Sequence, residues 1–313
     1  MESSGTSGGE IGPRSAGKLL DLIFNIYFKH ILTLFGIALV VIVPMAAILV
    51  GLDQLALAEP DRLGDSLRVD VGGTTRLVDE TNFYGGFVLQ TLIAILGQLL
   101  IIGAAYRAAS EAYLGREPDA RSSIGFGARK MHSILWVTVL TGIATALGLL
   151  ALFVGAIYLY IALIVAVPAL MVEDLRGTKA LRRSFRLVQD NWWRTFGVMV
   201  VATLFVVFAG GILGILSFVA NPLAEDSLLA YSVVIQAING LATALTAPLM
   251  AVAAIVVYYD LRIRKEGFDV ELLADRMGEG EAESNRAPQG APELPDRSSR
   301  PPPPPPPSGS RSA

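Results

Sequence analysis

A basic and aromatic segment between residues 179 and 194 carries the side chains best suited to bind a charged group. Its residues of this kind are Lys179, Arg182, Arg183, Arg186, Trp192, Trp193 and Arg194. On a helix, the cations up to residue 186 face away from Leu181, Phe185 and Val188. Guanidinium and ammonium groups bind anions, and tryptophan favours the boundary between lipid and water. The segment therefore indicates either an ordinary basic loop of a membrane protein or a site for anionic lipid headgroups or an acidic partner.

Charged residues on both sides of this segment could hold the protein together rather than bind a ligand. They are Glu173, Asp174, Asp260, Arg262, Arg264 and Glu266. Two adjacent carboxylates are too few to bind a cation on their own. We expect Glu173 and Asp174 to form salt bridges with Arg176 and Arg182, or to stabilise the start of the basic helix. The other four residues are expected to pair with the basic helix and lock this face of the protein.

A few uncharged polar residues lie inside long apolar runs. They are Gln90, Gln98, Gln236 and Asn239. Hydrogen bonds between helices are the simpler expectation for these side chains, and a path for a substrate is the alternative. No Asp, Glu, Lys or Arg is expected deep in these runs, which argues against coupling to protons or sodium ions.

Composition excludes several other kinds of chemistry. The chain has no Cys and only two His, His30 and His132, which lie far apart and outside any metal-binding motif. The net charge of −3 and the lack of a Lys/Arg-rich soluble domain argue against nucleic-acid binding. The sequence thus predicts no catalytic residue, no metal site and no cofactor, and the chain is not expected to be an enzyme.

Long apolar runs must position these residues. Of 313 residues, 53% are hydrophobic and 17% are charged, whereas soluble domains contain about 25% charged residues. The runs cover residues 31–52, 87–109, 132–173, 196–220 and 228–259. One crossing needs about 20 apolar residues, so the third run is long enough for two helices, with a turn near 149–155. We therefore predict an all-α membrane protein with six transmembrane helices.

A repeated pattern groups these helices into three hairpins. Leu20, Phe24, Tyr27 and Ile31 recur in spacing as Leu181, Phe185, Val188 and Trp192, and Phe35-Gly36 recurs as Phe196-Gly197. The spacing i, i+4, i+7, i+11 places each set on one face of a helix. Ile124, Ala128, Met131 and Leu135 repeat the spacing more weakly. We predict that an amphipathic interfacial helix precedes each hairpin.

Three small-residue motifs are expected to let helices approach closely. They are Gly142-x-x-x-Ala146, Gly210-x-x-x-Gly214 and Gly240-x-x-x-Ala244. Such motifs place small side chains where two helix backbones meet. We expect packing within the chain, with homodimerisation as the alternative.

The distribution of Lys and Arg sets the predicted orientation. The segments before the first, third and fifth crossings and after the sixth are rich in Lys and Arg, whereas residues 53–82 and the turn after the fifth crossing are acidic. Both termini are then expected in the cytoplasm of a bacterial cell, with the six-span domain, 17–275, in the plasma membrane. Residues 1–16 and the Pro-rich tail, 276–313, are expected to be disordered.

Several motifs in combination resemble a known family. They are Gly17–Asp21 (GKLLD), Pro168–Asp174 (PALMVED), Ala180–Val188 (ALRRSFRLV), Trp193–Gly197 (WRTFG) and Tyr258–Asp269 (YYDLRIRKEGFD). Over residues 15–275 the chain resembles the membrane domain associated with glycerophosphoryl diester phosphodiesterases, in its actinobacterial form. The resemblance implies a membrane module without the catalytic barrel, because the chain has no room for a barrel of about 250 residues.

Three functions are compatible with these patterns. We favour a non-catalytic membrane module that engages anionic lipids, or a membrane or cytoplasmic protein partner, through the basic interfacial helix. The alternative is a transporter or flippase for a lipid-like or amphiphilic solute, which a polar cavity lined by Gln98, Gln236 and Asn239 would favour. A membrane-embedded enzyme acting on phospholipid-derived diesters is the third, suggested only by the resemblance.

Overall fold

Helices form almost all of the structure. The computed structural model describes residues 15–58 and 66–267. The helices are α1 (Ala16–Lys29), α2 (Ile31–Ala56), α3 (Glu80–Tyr113), α4 (Ala120–Gly148), α5 (Leu152–Ala162), α6 (Ala166–Glu173), α7 (Thr178–Val188), α8 (Trp192–Val219), α9 (Leu223–Asp226) and α10 (Leu228–Glu266). Six helical segments are long and apolar enough to cross a membrane: α2, α3, α4, α5 with α6, α7 with α8, and α10. The chain is therefore an all-α multi-pass membrane protein, as the sequence predicted.

Polar caps fix the starts of several helices. Side-chain oxygens of Ser15, Asp79, Asp119 and Ser227 each accept a hydrogen bond from the backbone N–H three residues further on. These bonds satisfy donors that a first helical turn leaves free. The Ser122 N–H bond to Asp119 is also the main reason why the pKa of Asp119 is lowered.

A β-hairpin occupies part of the segment that the sequence predicted as a polar loop. Strands β1 (Ser66–Val71) and β2 (Thr74–Asp79) pair antiparallel, with Val71 opposite Thr74. Gly72 and Gly73 form the turn with φ of 61° and 86°, and a two-residue turn of this kind needs positive φ at both positions. The Gly-Gly pair therefore indicates a hairpin, although the polar composition of the segment suggested a loop.

α10 lies at the centre of the bundle. It contacts α1, α2, α3, α7 and α8, and residues 251–261 are all buried. Its 39 residues give a length of about 58 Å, which exceeds the apolar core of a bilayer of roughly 30 Å. Its C-terminus lies with residues 114–119 and 174–177 at one end of the bundle, which we call the basic end.

Two of the three predicted interfacial helices are separate elements. α1 and α7 each bury one apolar face and lead into a spanning helix, α1 through His30 and α7 through a short 3₁₀ turn, Gln189–Asn191. The prediction is wrong for the third, because α4 continues without interruption through the weakly amphipathic segment into the crossing. Residues 128–141 contain no Pro or Gly that would stop the helix.

The fourth crossing is a broken helix. Its two parts, α5 and α6, are separated by a turn at residues 163–165. Pro168 explains the break, since its ring would clash with the carbonyl of residue 164 in a continuous helix. The Ala166 N–H bonds to the Leu163 carbonyl instead of the Ala162 carbonyl. The buried Ser184 hydroxyl of α7 donates to the Ala162 carbonyl at 2.8 Å, so the basic helix satisfies the group that the break leaves free.

Close helix packing occurs at Gly127, outside the predicted motifs, and at Gly240, within one of them. A Cβ on Gly127 of α4 would lie 2.9 Å from the Ala104 nitrogen and 3.1 Å from the Leu100 carbonyl oxygen of α3. By contrast, a Cβ on Gly142, Gly210 or Gly214 would meet no atom within 4 Å. Two of the predicted motifs therefore do not bring helices together within the chain. In the third, a Cβ on Gly240 would meet Ile42.

The predicted domain boundaries are tested in part. The structure places Ser15 at the N-cap of α1 and Ala16 in its first turn, so the predicted disordered segment is too long at its end. Most of that segment, residues 1–14, lies outside the described residues, as do 268–275 of the predicted membrane domain and the whole tail, 276–313.

Candidate functional site

The cations of the basic segment fall into two groups. Lys179, Arg182 and Arg186 are exposed on one face of α7, whereas Arg183 is only 15% exposed and faces the bundle. Helical periodicity accounts for the first group, because residues three or four apart lie on the same face. Within residues 15–58 and 66–267, no acidic side chain forms an ion pair with Lys179, Arg182 or Arg186. These three side chains are therefore available to an external anion.

Arg183 is the centre of an ion network at the basic end. Its guanidinium contacts Glu173 at 2.8 Å and Glu266 at 2.7 Å, which joins α6, α7 and α10. The Tyr258 hydroxyl donates to Glu173 at 2.6 Å, and Arg262 contacts Glu266 at 3.3 Å. Of the four residues of α10 predicted to pair with the basic helix, Glu266 pairs with α7, whereas Arg262 pairs with Glu266 of its own helix. Arg183 therefore joins α7 to α10 rather than facing solvent.

A second ion network lies at the start of α8. Arg194 and Arg264 both contact Asp260, at 3.2 Å and 2.9 Å, and Asp260 is buried. Arg194 was predicted to belong to the basic helix, but that helix ends at Val188 and Arg194 lies in the first turn of α8. Its side chain is engaged with Asp260, so it also belongs to the structural group of cations.

Asp174 and Glu173 pair with residues other than those predicted. Lys130 of α4 donates to the Asp174 carboxylate, whereas Glu173 pairs with Arg183. The hydrogen bond and charge of Lys130 lower the pKa of Asp174. Arg176 and Arg182, the predicted partners, are exposed. The physical reason is the turn before α7, which places Asp174 in the left-handed region with φ of 52° and directs it towards α4.

An aromatic groove adjoins the exposed cations. It has a volume of about 630 Å³, and its aromatic walls are Tyr158, Trp192 and Trp193. The Trp192 ring stacks on Tyr158 at 5.6 Å, and its indole N–H donates to the Tyr158 carbonyl at 3.1 Å. Trp193 is 78% exposed. One side of the groove is apolar, with Val154 of α5 well exposed, and the other is polar.

The exposed face of α7 leads into this groove. Arg182, Arg186 and Gln189 follow one another at spacings of four and three residues, and Gln189 lines the groove. We call the combined surface of Lys179, Arg182, Arg186 and the groove the basic face. The sequence predicted its cations and tryptophans but not the contribution of α5, because Val154 and Tyr158 lie in an unmarked apolar run.

Two of the predicted intramembrane polar residues meet at an acidic residue. Gln90 of α3 and Gln236 of α10 donate to the Asp53 carboxylate of α2, at 2.8 Å and 3.3 Å. The sequence placed Asp53 in a loop, but α2 continues to Ala56. Interhelical hydrogen bonds, the simpler expectation, are formed by these two glutamines.

The other two residues lie elsewhere. Gln98 lines a cavity of about 390 Å³ together with Tyr106, Tyr160, Thr243 and Thr246. Gln236 instead lines an apolar groove of about 640 Å³ between α2 and α10, and Asn239 is exposed. The predicted cavity lined by Gln98, Gln236 and Asn239 is therefore not formed, because Gln236 is bonded to Asp53 beside the groove between α2 and α10, and Asn239 is exposed.

Comparison with protein families identifies a match to part of the chain. Residues 120–261 match a family described as a domain of unknown function (DUF7847). The matched part runs from α4 into α10 and contains α7 and the groove, but not α1 to α3. No curated protein and no solved structure matches the chain. Among the described residues, no group of three or more His, Cys, Asp or Glu could hold a metal ion.

Proposed function

We propose that this chain is a non-catalytic membrane module that binds an anionic lipid headgroup on the basic face. The observation that carries the proposal is the division of the cations on α7. Arg183 is neutralised by Glu173 and Glu266, whereas Lys179, Arg182 and Arg186 are exposed and lead to an aromatic groove. An exposed cation near an anionic lipid surface contributes about 1 kcal/mol to binding.

The groove supplies a place for the rest of such a lipid. On its polar side, Gln189 and Asn191 can bond a headgroup, and the Asp190 carboxylate beside them is paired with Lys265. Its apolar side on α5 suits the upper part of an acyl chain. Exposed tryptophan beside cations is typical of the lipid–water boundary. A soluble acidic partner would use the cations but would have no need of the apolar side, so the groove favours a lipid.

We also propose that the basic end faces the cytoplasm of a bacterial cell. The loops and helix ends gathered there carry most of the Lys and Arg of the described residues, and such loops stay on the cytoplasmic side. Both termini would then be cytoplasmic and the membrane would be the plasma membrane. The inner leaflet of such a membrane is the source of anionic lipid that the basic face requires.

Tryptophan fluorescence quenching tests the lipid proposal. A Trp136→Phe background leaves Trp192 and Trp193, both in the groove, as the reporters. In mixed bilayers, brominated phosphatidylglycerol should quench them with a preference over brominated phosphatidylcholine on the order of tenfold to hundredfold. Combined Lys179→Gln, Arg182→Gln and Arg186→Gln should bring this preference close to one.

The matched control removes the same charge elsewhere. Lys18→Gln, Arg121→Gln and Arg129→Gln neutralise three exposed cations on α1 and α4, and the preference should stay within about twofold of the parent. Equal losses in both triple variants would mean that net charge alone attracts the lipid. An unchanged preference in the α7 variant would remove the proposal and leave an acidic protein partner as the target.

A second candidate function rests on the cavity beside the broken helix. Interrupted spanning helices next to a polar cavity are common in transporters, so a transporter or flippase for a lipid-like solute is the alternative. Proteoliposomes with fluorescent phosphatidylglycerol in both leaflets and dithionite outside distinguish the two functions. The leading proposal expects about half of the fluorescence to stay protected. Protein-dependent loss of that protected half, abolished by Ala247→Phe in the cavity wall, would establish the second function instead.

The resemblance to the membrane domain associated with glycerophosphoryl diester phosphodiesterases stays part of the proposal. It is compatible with a module that handles phospholipid-derived groups without cleaving them. The basic face provides cations and aromatic rings, which bind a phosphate diester, and the carboxylate in its groove, Asp190, is paired with Lys265.

A further inference from the structure

The cavity lined by Gln98 lies halfway along two spanning helices. Gln98 is near the middle of α3, and Thr243 and Thr246 are near the middle of α10. Tyr106 and Tyr160 complete its polar lining, and most of the remaining residues around it are apolar. A volume of about 390 Å³ falls within the usual range of ligand sites, roughly 300–1,000 Å³.

The polar groups of the cavity can accept or donate further hydrogen bonds. In the part of the chain that the structure describes, the Gln98 amide and the Tyr106 and Tyr160 hydroxyls make no hydrogen bond. The hydroxyls of Thr243 and Thr246 donate to carbonyls of α10, which leaves their lone pairs free to accept. Polar groups at membrane depth are costly unless they are paired, so this set calls for a hydrogen-bonding occupant.

The lining excludes a charged occupant. None of the residues around the cavity is Asp, Glu, Lys or Arg. A charge at membrane depth needs an opposite charge or water to stabilise it, and a cavity of this kind offers amide and hydroxyl groups instead. The head of the occupant must therefore be neutral and must both donate and accept hydrogen bonds, as a hydroxyl group does.

An apolar cleft extends from the cavity to the surface of the bundle. It lies between α5 and α8, has a volume of about 440 Å³, and shares Tyr160, Ile164 and Met199 with the cavity. Tyr160 is 51% exposed and Leu204, on the α8 wall of the cleft, is 62% exposed. The cleft therefore opens sideways, towards the hydrocarbon of the bilayer, and can take an acyl chain.

We propose that the cavity and the cleft together form a binding site for a neutral single-chain amphiphile with a hydroxyl head. The head lies against Gln98, Thr243 and Thr246, and the chain lies between α5 and α8. Tyr160 borders both parts. The site does not depend on the basic face, because its chemistry is uncharged and its walls come from other residues.

Photoaffinity labelling of the full chain in nanodiscs tests this site. Three probes carry the same twelve-carbon chain with a diazirine near its end, and they differ only in a hydroxyl, carboxylate or trimethylammonium head. The alcohol is expected to label peptides of α5 and α8 about tenfold more strongly than either charged probe, because a charged head must enter an uncharged cavity. Equal labelling by the three probes would overturn the proposal.

Substitutions place the head of the probe in the cavity. Gln98→Leu should reduce labelling of α5 and α8 by the alcohol about tenfold, since one or two hydrogen bonds are lost. Asn239→Leu makes a comparable exchange on α10 outside the lining of the cavity and should change labelling by less than twofold. Ala247→Phe fills the cavity and should also abolish labelling of α5 and α8 by the alcohol. Labelling that survives both Gln98→Leu and Ala247→Phe would mean that water alone occupies the cavity, and the proposal would fail.

Discussion

Replacing Gly127 with leucine is expected to destabilise the bundle more than any other single change considered for α4. A Cβ at this position would lie 2.9 Å from the Ala104 nitrogen and 3.1 Å from the Leu100 carbonyl oxygen. These are backbone atoms of α3 and cannot turn away as a side chain would. Overpacking costs up to about 3 kcal/mol where side chains adjust, and more where backbones must separate. We expect the melting temperature in detergent to fall by roughly 10 °C or more.

Gly142→Leu is the matched control for this prediction. It makes the same exchange on the same helix, where a Cβ would meet no atom within 4 Å. Its melting temperature should stay within about 2 °C of the parent, and the better helix propensity of leucine would raise it slightly. If both variants melt at the same temperature as the parent, α3 and α4 do not touch at Gly127.

Replacing Arg183 with methionine is expected to have the second largest effect. The change leaves Glu173 and Glu266 facing each other without the cation that both contact. Breaking a buried ion pair costs about 3–5 kcal/mol, and partial exposure of these side chains reduces this to roughly 2–3 kcal/mol. The melting temperature in detergent should fall by roughly 5–10 °C, as measured by intrinsic fluorescence during heating.

Two further variants show whether charge is the cause. Arg182→Met removes a neighbouring cation that is exposed, and its melting temperature should change by less than about 2 °C. Adding Glu173→Gln to Arg183→Met removes one of the two facing carboxylates and should recover part of the lost stability. A fall of equal size for Arg182→Met, or no recovery in the double variant, would count against the ion network.

Most of the fold could be predicted because hydrophobic length and charge distribution report directly on the bilayer. Five uninterrupted apolar runs, one of double length, correspond to the six spanning segments. The break in the fourth crossing was not predicted, although Pro168 indicates it. Hydrophobicity stays high through the break, because the loss of one backbone hydrogen bond does not change the composition of the run. The β-hairpin was missed for the opposite reason, because Gly72 and Gly73 lie in a stretch whose polar composition suggested a loop.

Only those features of the site that depend on the periodicity of a single helix could be predicted. Periodicity identified the cations of α7, but Arg182 and Arg183 are neighbours and no local pattern separates them. Their difference comes from Glu173 and Glu266, which are ten and 83 residues away from Arg183. Asp53 illustrates the same limit. A charge normally ends an apolar run, and only the glutamines of two other helices explain why α2 continues past it.

The hydrogen bond from Ser184 to the Ala162 carbonyl joins the two surfaces that this chain presents to its membrane. Ser184 belongs to the helix that carries the basic face, and Ala162 ends α5, whose Tyr160 borders the cavity and the cleft. α5 also packs on α7 where the Tyr158 ring meets Phe185, so we expect a displacement of α7 to move the wall of the cavity through α5. If an anion on α7 changes the affinity of the cavity for its occupant, that occupant must change the affinity of α7 for the anion by the same factor. Such reciprocity would make the chain a two-input sensor of membrane composition, whose response to one lipid class depends on the abundance of the other.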